Sequence, residues 1–193
     1  IQLHPNGTPG TGLMQDIATS GRNRLFINKN GDRFVSESAA RDTLCKAIFK
    51  QPDGTYWLLM NKLGYPDENK PDRMGVTMKD MLALGRVKKA DTLDEMAKLI
   101  NVPDDHLKAA VAEYNKAASN KGTKDKFGFV ATNTDDAPMT EGPWYACLKV
   151  RTVHHTMGGV RIDTLARALD KDGKPVPGLY AAGEVTGGIH GAN

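Results

Sequence analysis

The chain has 193 residues, enough for one domain with a real core or for one and a half. Its 39% hydrophobic and 25% charged content is ordinary for a globular fold, and no apolar run approaches the length of a membrane span. The formal net charge is +3, with Lys and Arg mostly interleaved with acids, which argues against a nucleic-acid groove. Cys45 and Cys147 lack metal-type spacing, nothing argues that they pair, and no metal site is expected. The opening "IQLHPNGTPG" is no signal segment; an internal fragment would carry none in any case, so bacterial periplasm and cytoplasm both stay open.

Along the chain, "RNRLFINKNGDRFVSE" predicts a β-hairpin, with Leu25, Ile27 and Phe34 as apolar positions and Asn30-Gly31 as a type I′ turn. Ser36 or Ser38 is expected to cap a helix reaching about Phe49, with Ala39, Leu44, Ala47 and Ile48 as its stripe. "TYWLLMN", Thr55 to Asn61, predicts a buried strand, and the two prolines of "GYPDENKPDR" predict a loop. Thr92 with Glu95 forms a capping box ahead of Met96, Leu99 and Ile100. Pro103 and two acids open the next helix, and Gly122 is its stop. "SNKGTKDKFG" is polar and expected to be mobile. "WYACLKVRTV" and "GVRIDTLARALD" read as strands, and a "DKDGK" turn leads into "GLYAAGEV".

Helices and strands are segregated along the chain rather than alternating, which argues for α+β and against a doubly wound sheet. No complete G-x-G-x-x-G strand–turn–helix unit is present; "GTPGTG" lacks a following helical pattern and reads as a loop.

Chemistry-bearing residues gather in "QLHPN", "NGDRFVSESAARD", "HHTMGG" and "GLYAAGEVTGGIHGAN". Each has a bland reading. His4 alone reads as a structural histidine, Arg41 as the i,i+4 partner of Glu37 on a solvated helix face, and each glycine as a turn residue. Together and in this order, the clusters resemble the soluble fumarate reductase, or flavocytochrome c, branch of the succinate dehydrogenase/fumarate reductase flavoprotein family. The resemblance covers almost the whole chain, and its last two segments are its most specific.

The resemblance implies an α+β capping domain of a fumarate reductase-like flavoprotein, flanked by pieces of an FAD-binding domain. Residues 1–8 would be the tail of one FAD-binding segment, 9–143 the cap, and 144–193 the return into the FAD-binding domain. It implies FAD as cofactor, with the Rossmann half upstream. Electrons would come from haem or covalent FMN domains elsewhere in the parent, or from a soluble donor. It also implies roles for particular residues. His154 and an arginine directly after "HGAN", which would lie beyond Asn193, would hold one substrate carboxylate. His4 would meet the far end of the substrate, and Arg41 would be the proton donor. His155, Gly158, Gly159, Glu184, Gly187 and Gly188 would contact the cofactor.

The sequence departs from the family at its T-E-x-x-R stretch. Those positions fall on Asp16, Ile17 and Ser20, so the proton relay that would recharge an arginine acid is altered. Asp16 would repel a second carboxylate. The expected substrate is therefore a small unsaturated carboxylate whose other end is neutral, cationic or hydrogen-bond donating, as in a urocanate-like acrylate. A local gap would instead make Asp16 an ordinary loop acid, leaving fumarate as the alternative substrate. The alternative of another class is a non-catalytic ligand-binding or interaction module on the same scaffold.

Overall fold

The computed structural model describes residues 2–5, 22–65, 67–71, 75–132, 136–152 and 158–188. In chain order its elements are β1 (Gln2–Pro5), β2 (Arg24–Ile27), α1 (Arg41–Phe49), β3 (Thr55–Asn61), α2 (Met78–Ala83) and β4 (Val87–Ala90). There follow α3 (Leu93–Ile100), α4 (Asp104–Ser119), β5 (Trp144–Thr152), β6 (Arg167–Leu169) and β7 (Pro175–Tyr180). The architecture is mixed helix and sheet, as expected.

β1 to β5 form an antiparallel sheet in the order β1-β5-β3-β2, with β4 also paired to β5. The period-two alternation of the strands sorts their side chains onto two faces. Leu25 lies opposite Leu59, which lies opposite Ala146, and all three join the core beneath α3 and α4. One residue along, Phe26, Leu58 and Cys147 form the matching row on the other face, in the core beneath α1 and α2. The sheet thus has a helix layer on each side, which is why β3 is an almost continuous apolar run.

β5 is the organising strand. On one edge it pairs with β3; on the other, Trp144–Cys147 pair with β4 and Lys149–Thr152 pair with β1. β1 and β4 thereby lie end to end along one edge of β5. Residues 158–188 add a smaller unit, the antiparallel β6–β7 pair, with isolated bridges at Ile162↔Ala168 and, in parallel, Val160↔Thr186.

Several expectations change in the structure. The Asn28–Asp32 turn is not type I′: Asn30 keeps negative φ, and Gly31 alone is left-handed, at φ 85°. Gly31 N–H donates to Asn28 O at 3.0 Å, and the second arm is a single bridge, Ile27↔Arg33. An added Cβ on Gly31 would lie 2.9 Å from the Cβ of His106, so the turn tip is packed against the start of α4. Neither Ser36 nor Ser38 caps α1; the cap position is Ala40, without a side-chain bond, and the two serine hydroxyls bond each other. α2 and β4 arise where no element was predicted, and α2 carries its own capping box from Thr77 and Asp80.

The capping box of Thr92 and Glu95 is present at α3. Pro103 occupies the cap position of α4 rather than its first turn. In "SNKGTKDKFG" most residues are exposed, and Asp125 accepts N–H bonds from Phe127 and from Phe129, the buried residue that follows the segment, at 2.8 and 2.9 Å. "GVRIDTLARALD" breaks into bridges and the short β6, because the Asp163 carboxylate accepts the N–H groups of Leu165 and Arg167 and turns the chain.

Candidate functional site

Arg41 is the first residue of α1, exposed, and belongs to the sheet-and-helix unit, where α1 packs on β3. The bland reading, a surface pair with Glu37, does not hold. Glu37 lies outside the helix with its side chain 5% exposed, and its carboxylate is taken by Arg33. A cation in the first turn also opposes the helix dipole by roughly 0.3–1 kcal/mol. Helix stability therefore does not account for an arginine here.

Arg33 is the residue whose importance the sequence reading missed. Its side chain is 0% exposed. Nε and Nη2 donate to the two Glu37 oxygens at 2.8 and 2.6 Å. Nη2 also lies 2.8 Å from Asp125 Oδ2, as a charge contact off the hydrogen-bonding direction, and Nη1 is 3.7 Å from Glu113 Oε2. The guanidinium carbon sits 5.0 Å from the Phe127 ring centre, 5.9 Å from Tyr114 and 6.0 Å from Phe129. Burial works against the Arg33 charge, but the hydrogen bonds to Glu37 and the negative charges of Glu37 and Asp125 outweigh it and raise its pKa. Burial also pushes the Glu37 carboxyl up, against the pull of Arg33. The signal in the sequence was the acid four residues after the arginine in "GDRFVSE", which bends around a turn rather than lying on a helix.

His4 lies on β1, its backbone opposite Val150 of β5. Asp16, His154 and His155 lie outside the described residues. In sequence His154 follows Thr152, the last residue of β5, by two, and Thr152 is paired with Gln2 of β1. The strand carrying His4 therefore runs beside the strand that leads to the two histidines.

The structure brings the two glycine motifs together. Val160 N–H donates to Val185 O at 2.8 Å and Gly187 N–H to Val160 O at 3.0 Å, closing the parallel bridge. Gly159 and Gly187 meet backbone to backbone. A Cβ on Gly159 would lie 2.2 Å from Val185 O, and one on Gly187 would lie 2.7 Å from Gly159 N. These two glycines have a reason within the chain, and the Gly187 amide is already bonded. Gly158 and Gly188 differ, because nothing lies within 4 Å of an added Cβ. Glu184 is exposed in a one-turn 3-10 helix, Gly183–Val185, which Thr186 closes by donating its hydroxyl to Gly183 O at 2.7 Å.

These residues fit a flavin nucleotide. An exposed carboxylate suits ribose or ribityl hydroxyls, and two glycines with open space admit a bulky ligand close to backbone. Glu184, Gly158 and Gly188 would hold it, on a frame made by Gly159 and Gly187. Among the described residues no cluster of His, Cys, Asp and Glu could hold a metal, and no helix is long and apolar enough to cross a membrane.

The candidate site thus consists of a helix-covered antiparallel sheet, followed along the chain by a glycine-rich loop with an exposed carboxylate. The chain belongs to the FAD binding domain family, which it matches over residues 1–193. It is 39% identical to the NADH:acrylate oxidoreductase of Vibrio harveyi, over 100% of this chain and 19% of that protein. It is 32% identical to the urocanate reductase of Eggerthella lenta, over 100% of this chain and 32% of the relative. An open-conformation structure of a flavocytochrome c3 fumarate reductase superposes with a TM-score of 0.65 at 37% identity, covering 92% of this chain and 30% of that one. The chain therefore spans a third or less of the length of these relatives.

Proposed function

We propose that the protein containing this chain is an FAD-dependent reductase of the C=C bond of an α,β-unsaturated carboxylate. The observation that carries the reading is the exposed arginine at the start of α1, a helix without a side-chain cap, in a chain that also pairs two glycine loops. Similarity along the whole chain to acrylate, urocanate and fumarate reductases supports it. In this reading residues 9–143 are a capping domain, 1–8 the tail of an FAD-binding segment and 144–193 the return into the FAD-binding domain. β5, which opens the 144–193 segment, is then still paired along Trp144–Val150 with β3 of the 9–143 segment.

FAD, when bound, would supply a hydride for one alkene carbon. Arg41 supplies the proton to the other, so the reduced product gains both atoms across the double bond. His154 binds the substrate carboxylate and polarises the alkene towards hydride addition. His4, on the strand beside the stem of "HHTMGG", orients the far end. Placed on a short helix at the surface of the sheet-and-helix unit, Arg41 acts when that unit covers the substrate and excludes water.

The substrate is a monocarboxylate. Asp16, Ile17 and Ser20 stand where a threonine, a glutamate and an arginine would read a second carboxylate and pass protons inward. Two relatives whose names specify acrylate and urocanate agree with a single carboxylate. The electron donor is haem, covalent FMN or a soluble reductant.

The test uses the full-length flavoprotein with its flavin chemically reduced and then mixed anaerobically with acrylate, urocanate or fumarate. Reoxidation by acrylate or urocanate in preference to fumarate is expected. Robust fumarate turnover would overturn the monocarboxylate assignment. Reoxidation by none of them, with ligand binding retained, would favour the non-catalytic module.

A further inference from the structure

We propose that Arg33 is a positioning residue for Arg41, acting through Glu37. This rests on the reading of Arg41 as the proton donor.

Residues 34–40 belong to no helix or strand. They bend through the Ala39 N–H bond to Ser36 O at 3.0 Å and enter α1 at Ala40 without a side-chain cap. A run of this kind would leave the first turn of a nine-residue helix free to fray. Two anchors prevent that. Downstream, Leu44, Cys45 and Ile48 are buried by the core beneath α1. Upstream, Ala39 packs against that same core, and the Glu37 carboxylate is gripped at both oxygens by Arg33. Arg33 is in turn fixed by the bridge to Ile27, by Asp125, and by the rings of Phe127, Tyr114 and Phe129. The chain of contacts thus runs from α4 and its following loop, across the edge of the sheet, to the first turn of α1.

Stability alone is a poor explanation for this cage. A buried arginine with carboxylates close to it carries a large desolvation penalty, and apolar side chains of similar volume often serve stability as well or better. What a bidentate guanidinium provides and an apolar cluster lacks is a defined direction and distance. The group whose direction matters is four residues on. A proton donor displaced by about 1 Å loses on the order of 100-fold in rate.

The test is made in the full-length flavoprotein on whichever alkene reoxidises it. Arg33→Met keeps the buried volume and removes the fork. It is expected to lower kcat roughly 10- to 100-fold, with KM and flavin content near wild type and a larger solvent isotope effect on kcat, because proton delivery becomes slower. Arg33→Lys keeps the charge and should recover part of the rate. Asp125→Asn, which leaves the Arg33–Glu37 fork in place, should show the same pattern more weakly and serves if Arg33→Met fails to fold. A lower melting temperature with unchanged kcat and isotope effect in these variants would make the cage purely structural and overturn the proposal. If Arg41→Ala itself keeps the wild-type rate, the assignment of the acid fails first, and the inference falls with it.

Discussion

Gly159→Ala is the sharpest probe of how the two glycine motifs are assembled. The added Cβ would lie 2.2 Å from Val185 O, 2.8 Å from Gly187 N and 2.8 Å from the carbonyl carbon of Thr186. All three are backbone atoms, so no rotamer change relieves the contact; the 183–188 loop must retreat by about 1 Å to reach ordinary packing. That retreat breaks the bonds from Val160 N–H to Val185 O and from Gly187 N–H to Val160 O. At roughly 0.5–1.5 kcal/mol each, the local loss is about 1–3 kcal/mol. The larger consequence is displacement of Glu184 and Gly188 from the proposed cofactor position. The assay is FAD retained after gel filtration of the full-length protein, followed by absorbance. Gly173→Ala is the control: its φ is 80°, and the nearest atom to a Cβ is 3.8 Å away, so it adds strain of about 1–2 kcal/mol without moving that loop. Gly159→Ala should lose FAD while Gly173→Ala keeps it. Full retention by Gly159→Ala would refute the claim that the backbone contact shapes the cofactor loop.

Two further predictions concern the sheet-and-helix unit. Thr92→Ala removes the acceptor for Glu95 N–H at 3.2 Å and should lower stability by about 1 kcal/mol, read as a shifted denaturant midpoint at unchanged slope. An unshifted midpoint would mean that the box does not hold α3, which carries Met96, Ala97 and Ile100 into the core. The Glu68 carboxyl is held below its ordinary value of 4.5, first by Lys89 and then by the Tyr145 hydroxyl. Because the folded pKa is depressed, this contribution is present above pH 4.5 and is lost as pH falls through the folded value. Wild type should therefore lose its stability advantage over Glu68→Gln on acidification below pH 4.5, and a pH-independent difference would contradict the assignment.

What was legible in the sequence was local. The bounds of β3 and the capping box of α3 follow from a few adjacent residues, and both stand in the structure. The α2 box was equally local, with Asp80 three residues after Thr77, but its acid is an aspartate and the helix is short, so the apolar pattern was weak. Turn details failed where one side chain decides: Gly31 takes the left-handed position alone, and Asp163 ends what looked like a strand. Non-local arrangements were out of reach. Nothing near Arg33 announces Asp125 or the rings above it, and Gly159 reveals its need for a missing Cβ only beside Gly187. The chemical roles came from motif resemblance, and the structure adds that Arg41 is free of the Glu37 pair that would have explained it away.

The most direct test of the account is stopped-flow reoxidation of the reduced full-length flavoprotein by its preferred unsaturated acid, comparing wild type with Arg41→Ala at matched flavin content. The account predicts rapid reoxidation of the wild type and a loss of about 100- to 10,000-fold in the variant, the range for a positioned general acid. Equal rates for the two proteins would contradict it.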